Sequence, residues 1–556
     1  MTKRSKRART IVLIGLAIFL LLLLGCLLLV LLLSREGSPR ETRGITLQIA
    51  YSPEKAALME QLVDSFNDRR ARLPDGEPVR VELTAMEPAT MVEQASIQRF
   101  HAVCPDSSIW LGEIDRRWRQ ERADELGLVG ETTRFAVSPV VIAMWPDVAQ
   151  SLGYPDKELG WRDILRAAVQ DKSFKWSHPS TNTASGLLAT LAQFYVGAER
   201  TRDLTKEIVT SEAILNYVGQ LEKTVKHYGE GEAAVISRVA ELGREYLDAF
   251  VVQEQMVVQF NRQRRDKGEQ LLAIYPVEGT LWEDHPLALL EHPWRNERER
   301  LAYRLFREYL LSPETQMMVL RYGYRPTDLD ISLDHPESPI TPENGADPTK
   351  PYTTLQIPSP TVISVVRDVW WFTKRHTNVY LVVDVSGSMQ GRKLADVQEA
   401  LHLFVAQIEG DLERVGLITF ASSAREIVPL TQLGEGRSGL TRAIDSLSAQ
   451  GNTALLDAVD LAVTKLVDLN DHERINAIVV MTDGRENRSR TNLSEVAYRL
   501  RLTVQSDLPV VVFCIAYGRD ADMDVLRALS DASGGFTSVG NEETIRSLYK
   551  TLSTYF

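Results

Sequence analysis

An α/β protein built as two units behind an N-terminal transmembrane helix is the fold class this sequence predicts, on three observations. Strands and amphipathic helices alternate through residues 361–556, they alternate again through residues 44–326, and residues 11–33 form one uninterrupted apolar stretch. The C-terminal alternation predicts a doubly wound, Rossmann-like sheet with helices on both faces. The N-terminal one predicts open α/β sheets rather than a helical stalk.

The first ten residues carry Lys3, Arg4, Lys6, Arg7 and Arg9. The stretch from Ile11 to Leu33 is long enough, at about 1.5 Å per residue, to cross a bilayer as one helix. The positive-inside bias keeps residues 1–10 in the cytoplasm as a basic tail and sends everything after Ser34 outside the cell membrane, so a single-pass protein is expected. A cleaved signal peptide has a shorter apolar core, about 7 to 15 residues, and a small-residue cleavage site that this sequence lacks. Leu23-Leu24-Gly25-Cys26 looks like a lipoprotein box, which leaves lipidation of Cys26 open. The seven apolar residues after Cys26 favour a span.

Composition fits an acidic binding protein. The chain has 556 residues and a formal net charge of −12, or −17 once the five basic residues of the tail are set aside. Such a charge, with no basic patch carrying interleaved aromatics, excludes a nucleic-acid partner. The three cysteines, Cys26, Cys104 and Cys514, are too far apart in organisation to imply a disulfide framework, a pattern that suits a bacterial surface. Zinc-type spacing is absent, and the nine histidines are scattered.

Residues 44–326 open with a strand, Ile45 to Ala50, a turn at Tyr51-Ser52-Pro53, and a helix whose Met59, Leu62, Val63 and Phe66 form one apolar stripe. Strands are predicted at Val79 to Leu83, Asp106 to Leu111 and Arg134 to Ile142, the last interrupted by Pro139. This layout resembles the type 2 periplasmic solute-binding proteins, which are bilobal and close on a ligand between two α/β lobes. The resemblance implies a small-molecule solute in the cleft. It places Ser52 after the first strand, Ser138 where the chain passes between lobes, and Glu254 and Tyr275 beside the ligand, with closing helices between Arg304 and Tyr324. Ser180, Thr181, Asn182 and Ser185 lead into an apolar helix, Leu187 to Val196, where hydroxyls and free N–H groups make a cradle for a polar solute or anion. The same residues would serve for ordinary N-capping. Both readings stay open.

Residues 327–360 change character. Prolines recur at 336, 339, 342, 348, 351, 358 and 360 among acids, serines and threonines. A semi-rigid, extended connector is expected, holding the two units apart. Val362 to Lys374 then reads as a helix leading into the last unit, with Trp370 and Trp371 packed on its sheet.

In residues 361–556 the helix stripes Leu394, Val397, Leu401, Phe404, Ile408 and Leu455, Val459, Ala462, Val463, Leu466 alternate with strands at Val415 to Phe420, Ile475 to Val480 and Pro509 to Ala516. A late helix is expected from Glu542. The chemistry lies at the strand ends. The apolar strand Tyr380 to Val383 delivers Asp384, Ser386 and Ser388 into one turn that Gly387 allows to bend, with a helix starting near Gly391. Thr453 lies in a loop before an amphipathic helix, and Asp483 follows a buried strand. Oxygen-only donors suit a hard cation.

The DxSxS, Thr and Asp pattern resembles the metal-ion-dependent adhesion site (MIDAS) of von Willebrand factor A (VWA) domains. By that resemblance Ser386, Ser388 and Thr453 hold a metal through their hydroxyls, and Asp384 and Asp483 hold it directly or through water. Mg²⁺ is the expected ion, with Mn²⁺ or Ca²⁺ as alternatives, and a protein partner supplies an acidic residue to it. GxSxG, HExxH and Walker loops are missing and the site, as read, has no adjacent His or Lys base, so no enzyme is expected. The sequence thus predicts a membrane-anchored extracytoplasmic binding protein. The alternative is a tethered solute receptor of a transport system, with the VWA domain as a docking module.

Overall fold

The computed structural model describes residues 44–556 except 123–125, 229–230, 409, 507, 519, 542–543, 546–548, 550–551 and 553–556. The basic tail, the apolar stretch 11–33 and Cys26 lie outside the described residues, as does most of the helix expected after Glu542. Among the described residues no helix is long and apolar enough to cross a membrane.

The first lobe is a five-stranded sheet. Its members are β1 (Ile45–Tyr51), β2 (Val79–Ala85), β3 (Ala102–Cys104), β4 (Val129–Arg134) and, from later in the chain, a strand over Pro286–Leu290. β1 runs parallel to both β2 and β3, and the late strand runs antiparallel to β3 and β4. The second lobe is built on β5 (Ala136–Met144), β6 (Trp176–Ser177), β7 (Ala249–Gln253), β8 (Leu272–Ile274) and β9 (Trp282–Glu283); the late strand of the first lobe is therefore β10, and β11 (Arg325–Pro326) returns to pair with β5.

Two expectations change here. The segment Arg134 to Ile142 is two strands in different sheets, because the chain crosses between lobes at the buried Phe135 and changes partners there. Asp106 to Leu111 is a loop that enters the helix Ile109–Arg122, and the strand is Ala102–Cys104. Leu111, Ile114 and Trp118 meet the core on helical spacing, and two of the three lie beyond the six-residue window that suggested a strand. A second crossing lies at Asp284 and His285, between β9 and β10, and a third leads into β11.

The connector does not hold the units apart. Tyr195 donates to the carbonyl of Gln356, Leu355 N–H reaches Thr280 O at 2.8 Å, and Asn261 binds the carbonyl of Asn344 at 2.9 Å. Ile340 and Ala346 pack with Val258 and Leu320. Proline limits this segment to one short 3-10 turn, Pro342–Asn344, and an isolated bridge of Thr354 to Thr280, but its scattered apolar residues still bury against the second lobe, and no periodicity announces them. The helix Pro360–Thr373 forms as expected yet belongs to the same lobe. Val362, Ile363, Val366 and Trp370 join its core, and Trp370 meets Tyr228 edge-on at 5.2 Å.

The last unit is one six-stranded sheet in the order β14-β13-β12-β15-β16-β17, formed by β12 (Thr377–Asp384), β13 (Arg414–Phe420), β14 (Ala424–Gln432), β15 (Ile475–Thr482), β16 (Val510–Tyr517) and β17 (Thr537–Gly540). β12 lies parallel to β13 and β15; only β14 is antiparallel. Every residue of β12, β15 and β16 is buried, as strands covered on both faces must be. The helix Arg392–Gln407 covers one face with Leu394, Val397, Leu401 and Phe404 against Val379, Leu381 and Val383. The helix Leu455–Leu469 covers the other, against Tyr380 and Val382. Chain direction therefore switches at β12, which opens a crevice at its C-terminal end.

Candidate functional site

That crevice collects the five predicted oxygen ligands. Asp384 ends β12 and is fully buried. Its Oδ1 accepts the N–H of Ser386 at 2.8 Å and its Oδ2 accepts the hydroxyl of Thr482. The hydroxyls of Ser386 and Ser388 lie 3.0 Å apart, and Ser388 donates to Asp483 Oδ1 at 2.6 Å. Thr453 faces the same place, since a methyl built on Gly484 would stand 3.2 Å from Thr453 Oγ1 and 3.6 Å from Ser388 Oγ.

The backbone fixes this arrangement. Gly387 N–H binds Gly451 O at 3.0 Å and Gln450 N–H binds Val385 O at 2.7 Å, tying the Thr453 loop to the β12 turn. Gly451 has φ +85°, and a Cβ there would lie 2.7 Å from Ser422 Oγ, so only glycine fits. Asn487 holds Thr453 from the far side, accepting its N–H at 3.1 Å.

Burial pushes the Asp384 carboxyl above its ordinary value, with the neighbouring Asp483 adding to the effect, against hydrogen bonds from Ser386 and Thr482. A cation placed between the two acids would reverse that. The donor set fits a hard divalent ion: it is all oxygen, two carboxylates and three hydroxyls, and Ser388 is exposed so that water or a partner can reach it. Sequence reasoning missed two members. Thr482 locks Asp384, and Lys393 forms an ion pair with Asp483 Oδ2. A lysine does therefore adjoin the site, contrary to expectation; it projects from the first turn of the helix after the DxSxS turn, which was its only signal.

Most of the predicted solute-site residues are buried, and several bond within the protein. Ser52 is fully buried at the end of β1 with no hydrogen-bond partner for its hydroxyl. Ser138, just past the first crossing, accepts Gln255 N–H at 3.4 Å. Ser180 accepts Asn182 N–H at 3.3 Å, Thr183 caps the helix Ala184–Gly197 by accepting Gly186 N–H, and Thr181 and Ser185 are buried beside them. Glu254 and Tyr275 are bonded to other groups of the protein. Arg325 grips Glu254 with two bonds of 2.9 and 2.6 Å, Tyr275 donates to the same carboxylate, and Asp347 N–H binds the Tyr275 oxygen at 3.0 Å. An unpaired buried carboxylate would be costly, and this network satisfies it internally.

Sequence reasoning also missed the groups that meet between the lobes. The turn Pro53–Lys55 after β1, the loop after β3, the second crossing and the helix Glu232–Leu242 bring together Glu54, Lys55, Asp106, Glu232, Glu283 and His285. Lys55 binds Asp106 at 2.8 Å and the carbonyls of Cys104 and Pro105 at 3.0 and 2.7 Å. Burial opposes its charge, but Asp106 and Cys104 outweigh burial and hold the lysine above its usual value. Burial raises Glu232 to about 8, with Asp106 adding to it, and raises Glu54 and Glu283 well above the carboxylate range, with neighbouring acids adding.

A model of the bacterial extracellular solute-binding protein family matches residues 47–325, half of the chain, and a model of the von Willebrand factor type A domain matches residues 378–551. The chain belongs to the bacterial extracellular solute-binding protein family and carries a VWA domain behind that unit. An uncharacterised protein of Synechocystis is 30% identical over 32% of this chain and 41% of its own. Inter-alpha-trypsin inhibitor heavy chain H4 of Sus scrofa is 28% identical over 28% of this chain and 17% of its own. The chain thus spans less than half the length of these relatives. Among solved structures, the sulfate-binding protein SubI of Mycobacterium tuberculosis aligns over 51% of this chain and 88% of its own with 16% identity and a TM-score of 0.37. The VWA protein of Catenulispora acidiphila aligns over 33% and 43% with 19% identity and a TM-score of 0.29. Both matched families are binding or adhesion modules.

Proposed function

We propose that this chain is a membrane-anchored, extracytoplasmic binding protein. Its VWA domain holds Mg²⁺ through Asp384, Ser386, Ser388, Thr453 and Asp483 and captures an acidic residue of a protein partner on that ion, while its solute-binding domain closes on a small solute. The observation that carries the reading is the convergence of five oxygen-bearing side chains from three separate loops at the switch point of the sheet, with Ser388 open to solvent. A divalent cation there would attract a carboxylate strongly because the acids beneath it are buried.

The test is melting of the purified full-length chain with and without Mg²⁺. The parent is expected to gain stability, and Asp384→Ala to lose that gain while still folding; a parent indifferent to Mg²⁺, Mn²⁺ and Ca²⁺ would remove the reading. The alternative, a tethered receptor of a transport system, draws support from the solute-binding fold occupying half the chain. Transporter permease genes beside this one would favour it. We assign no enzymatic role, and metal-dependent hydrolysis by the purified chain would contradict that.

A further inference from the structure

The polar groups between the lobes form a built site rather than a loose acidic patch. One ligand atom from each of Asp106, Glu283 and His285 lies within 4.8 Å of the other two. The three residues come from the loop after β3, from β9 and from the second crossing, so first lobe and hinge both contribute. All are enclosed, at 2%, 0% and 0% exposure. Glu54 approaches from the first lobe and Glu232 from the second, where a Cβ on the adjoining Gly231 would meet Glu54 Oε1 at 2.7 Å.

Counter-charge is short. Lys55 is committed to Asp106 and two carbonyls, and the two oxygens of Glu283 accept no hydrogen bond. Independently of the acids, the hydroxyl of Tyr324 is buried without a partner, and its ring stands edge-on to His285 at 4.9 Å. His285 adopts φ +32°, a left-handed value uncommon outside glycine, and its N–H binds Asp106 O at 2.9 Å, which fixes the imidazole beside that carboxylate.

We infer that the closed cleft binds a divalent transition-metal cation through Asp106, Glu283 and His285. The inference deepens the solute reading above and rests on it. The donor set decides the class: an imidazole among carboxylates suits Mn²⁺, Fe²⁺ or Zn²⁺, whereas Mg²⁺ and Ca²⁺ take oxygen. Spacing is compatible with one metal ion shared by Asp106 and His285. His285 Nδ1 lies 3.3 Å from Asp106 Oδ1. Neighbouring ligands on bonds of about 2.1 Å are about 3.0–3.4 Å apart, while acceptors shared by one ammonium at about 2.8 Å stand about 4.6 Å apart. An uncompensated buried carboxylate such as Glu283 is what a bound cation offsets.

The experiment uses the full-length chain, stripped with chelator and returned to millimolar Mg²⁺ to keep the adhesion site occupied. MnCl₂ or ZnCl₂ is added, excess is removed by desalting, and retained metal is counted by mass spectrometry alongside melting curves. About one Mn²⁺ or Zn²⁺ per chain is expected, with a rise in melting temperature. His285→Gln and Glu283→Gln should lower affinity by at least about tenfold, Tyr324→Phe less, and Asp483→Ala not at all. Should the first two fail to fold, Tyr324→Phe carries the test, because it removes one hydroxyl and keeps the ring. No retained metal, or retention indifferent to all three variants, overturns the inference. Stabilisation by spermidine or a co-purified organic molecule, with none by metals, overturns it and leaves the solute reading standing; no response to any of them overturns both.

Discussion

The two acidic sites of this molecule are built on opposite principles. At the ends of β12 and β15 each carboxylate oxygen of Asp384 and Asp483 has its own donor: Ser386 N–H, the hydroxyls of Thr482 and Ser388, and Lys393. Between the lobes, Glu283 has none. The donors of the first site are already hydrogen-bonded to one another, and an ion held there would exchange readily because the exposed Ser388 keeps it wet. In the second, acids are sealed in with their pKa values raised by burial, so whatever displaces their protons becomes part of what keeps the lobes closed. Hydrogen-bonded acids suit reversible capture, and unpaired ones suit a ligand that is enclosed.

A third acid calibrates the contrast and carries the largest expected effect. Glu413 is as buried as Glu283, but Lys374 pairs with it at 3.0 Å, both side chains at 0% exposure, and His376 and Thr377 bond to it as well. Burial raises its pKa, yet Lys374 and these hydrogen bonds outweigh burial and hold Glu413 at about 2. Glu413→Ala should cost about 3–5 kcal/mol in chemical denaturation, because it strands the lysine. Since the folded value lies below the ordinary 4.5, the pair stabilises fully above about pH 4.5 and fades as pH falls toward 2. The difference between parent and variant should shrink over that window, with Lys374, His376 and Arg474 the charged groups facing the acid. A constant difference from pH 5 to 2.5 would mean that Glu413 matters only as packing.

Next in size is the Mg²⁺ response. An ion at a hundred times its dissociation constant adds about 2.7 kcal/mol, and Asp384→Ala or Asp483→Ala should abolish it. Below that comes Glu283→Gln in metal-free protein, expected to be neutral or stabilising by about 1–2 kcal/mol, the reverse sign of Glu413→Ala, since an amide is cheaper to bury than an unpaired acid. Destabilisation there without metal would show that Glu283 has a partner inside the protein and would erase the contrast.

How much of this was legible follows from what a one-dimensional pattern can carry. The VWA strands announce themselves as apolar runs, and the DxSxS turn is contiguous, so Asp384, Ser386 and Ser388 read directly. Thr453 and Asp483 were found because each follows or precedes a strong element. The cleft gave no such signal. Glu283 and His285 sit two residues apart at a crossing between sheets, where neither strand nor helix period runs, and Asp106 is 177 residues earlier. The partner of Glu254, Arg325, gives no sign of itself in the sequence, because only the return of β11 to β5 brings it near. The burial of the proline-rich segment was hidden for the same reason: Ile340, Ala346 and Leu355 bury one at a time.

The smallest effect tests the open site from within. Lys393 is partly exposed, 38% at its side chain, and its ammonium pairs with the carboxylate that a metal would use. Screening by water keeps such a pair weak, of order 0.5–1 kcal/mol, so it serves as an exchangeable placeholder rather than a lock. Lys393→Met removes the competing charge while keeping the apolar stem against the helix. Mg²⁺ should then bind about two- to fivefold more tightly by calorimetry, with metal-free stability nearly unchanged. Weaker binding in the variant would mean that the lysine orients Asp483 for the ion instead of competing with it. The hydroxyl cage alone would then not suffice to preorganise that acid, and the contrast with the cleft would narrow to a difference in solvent access.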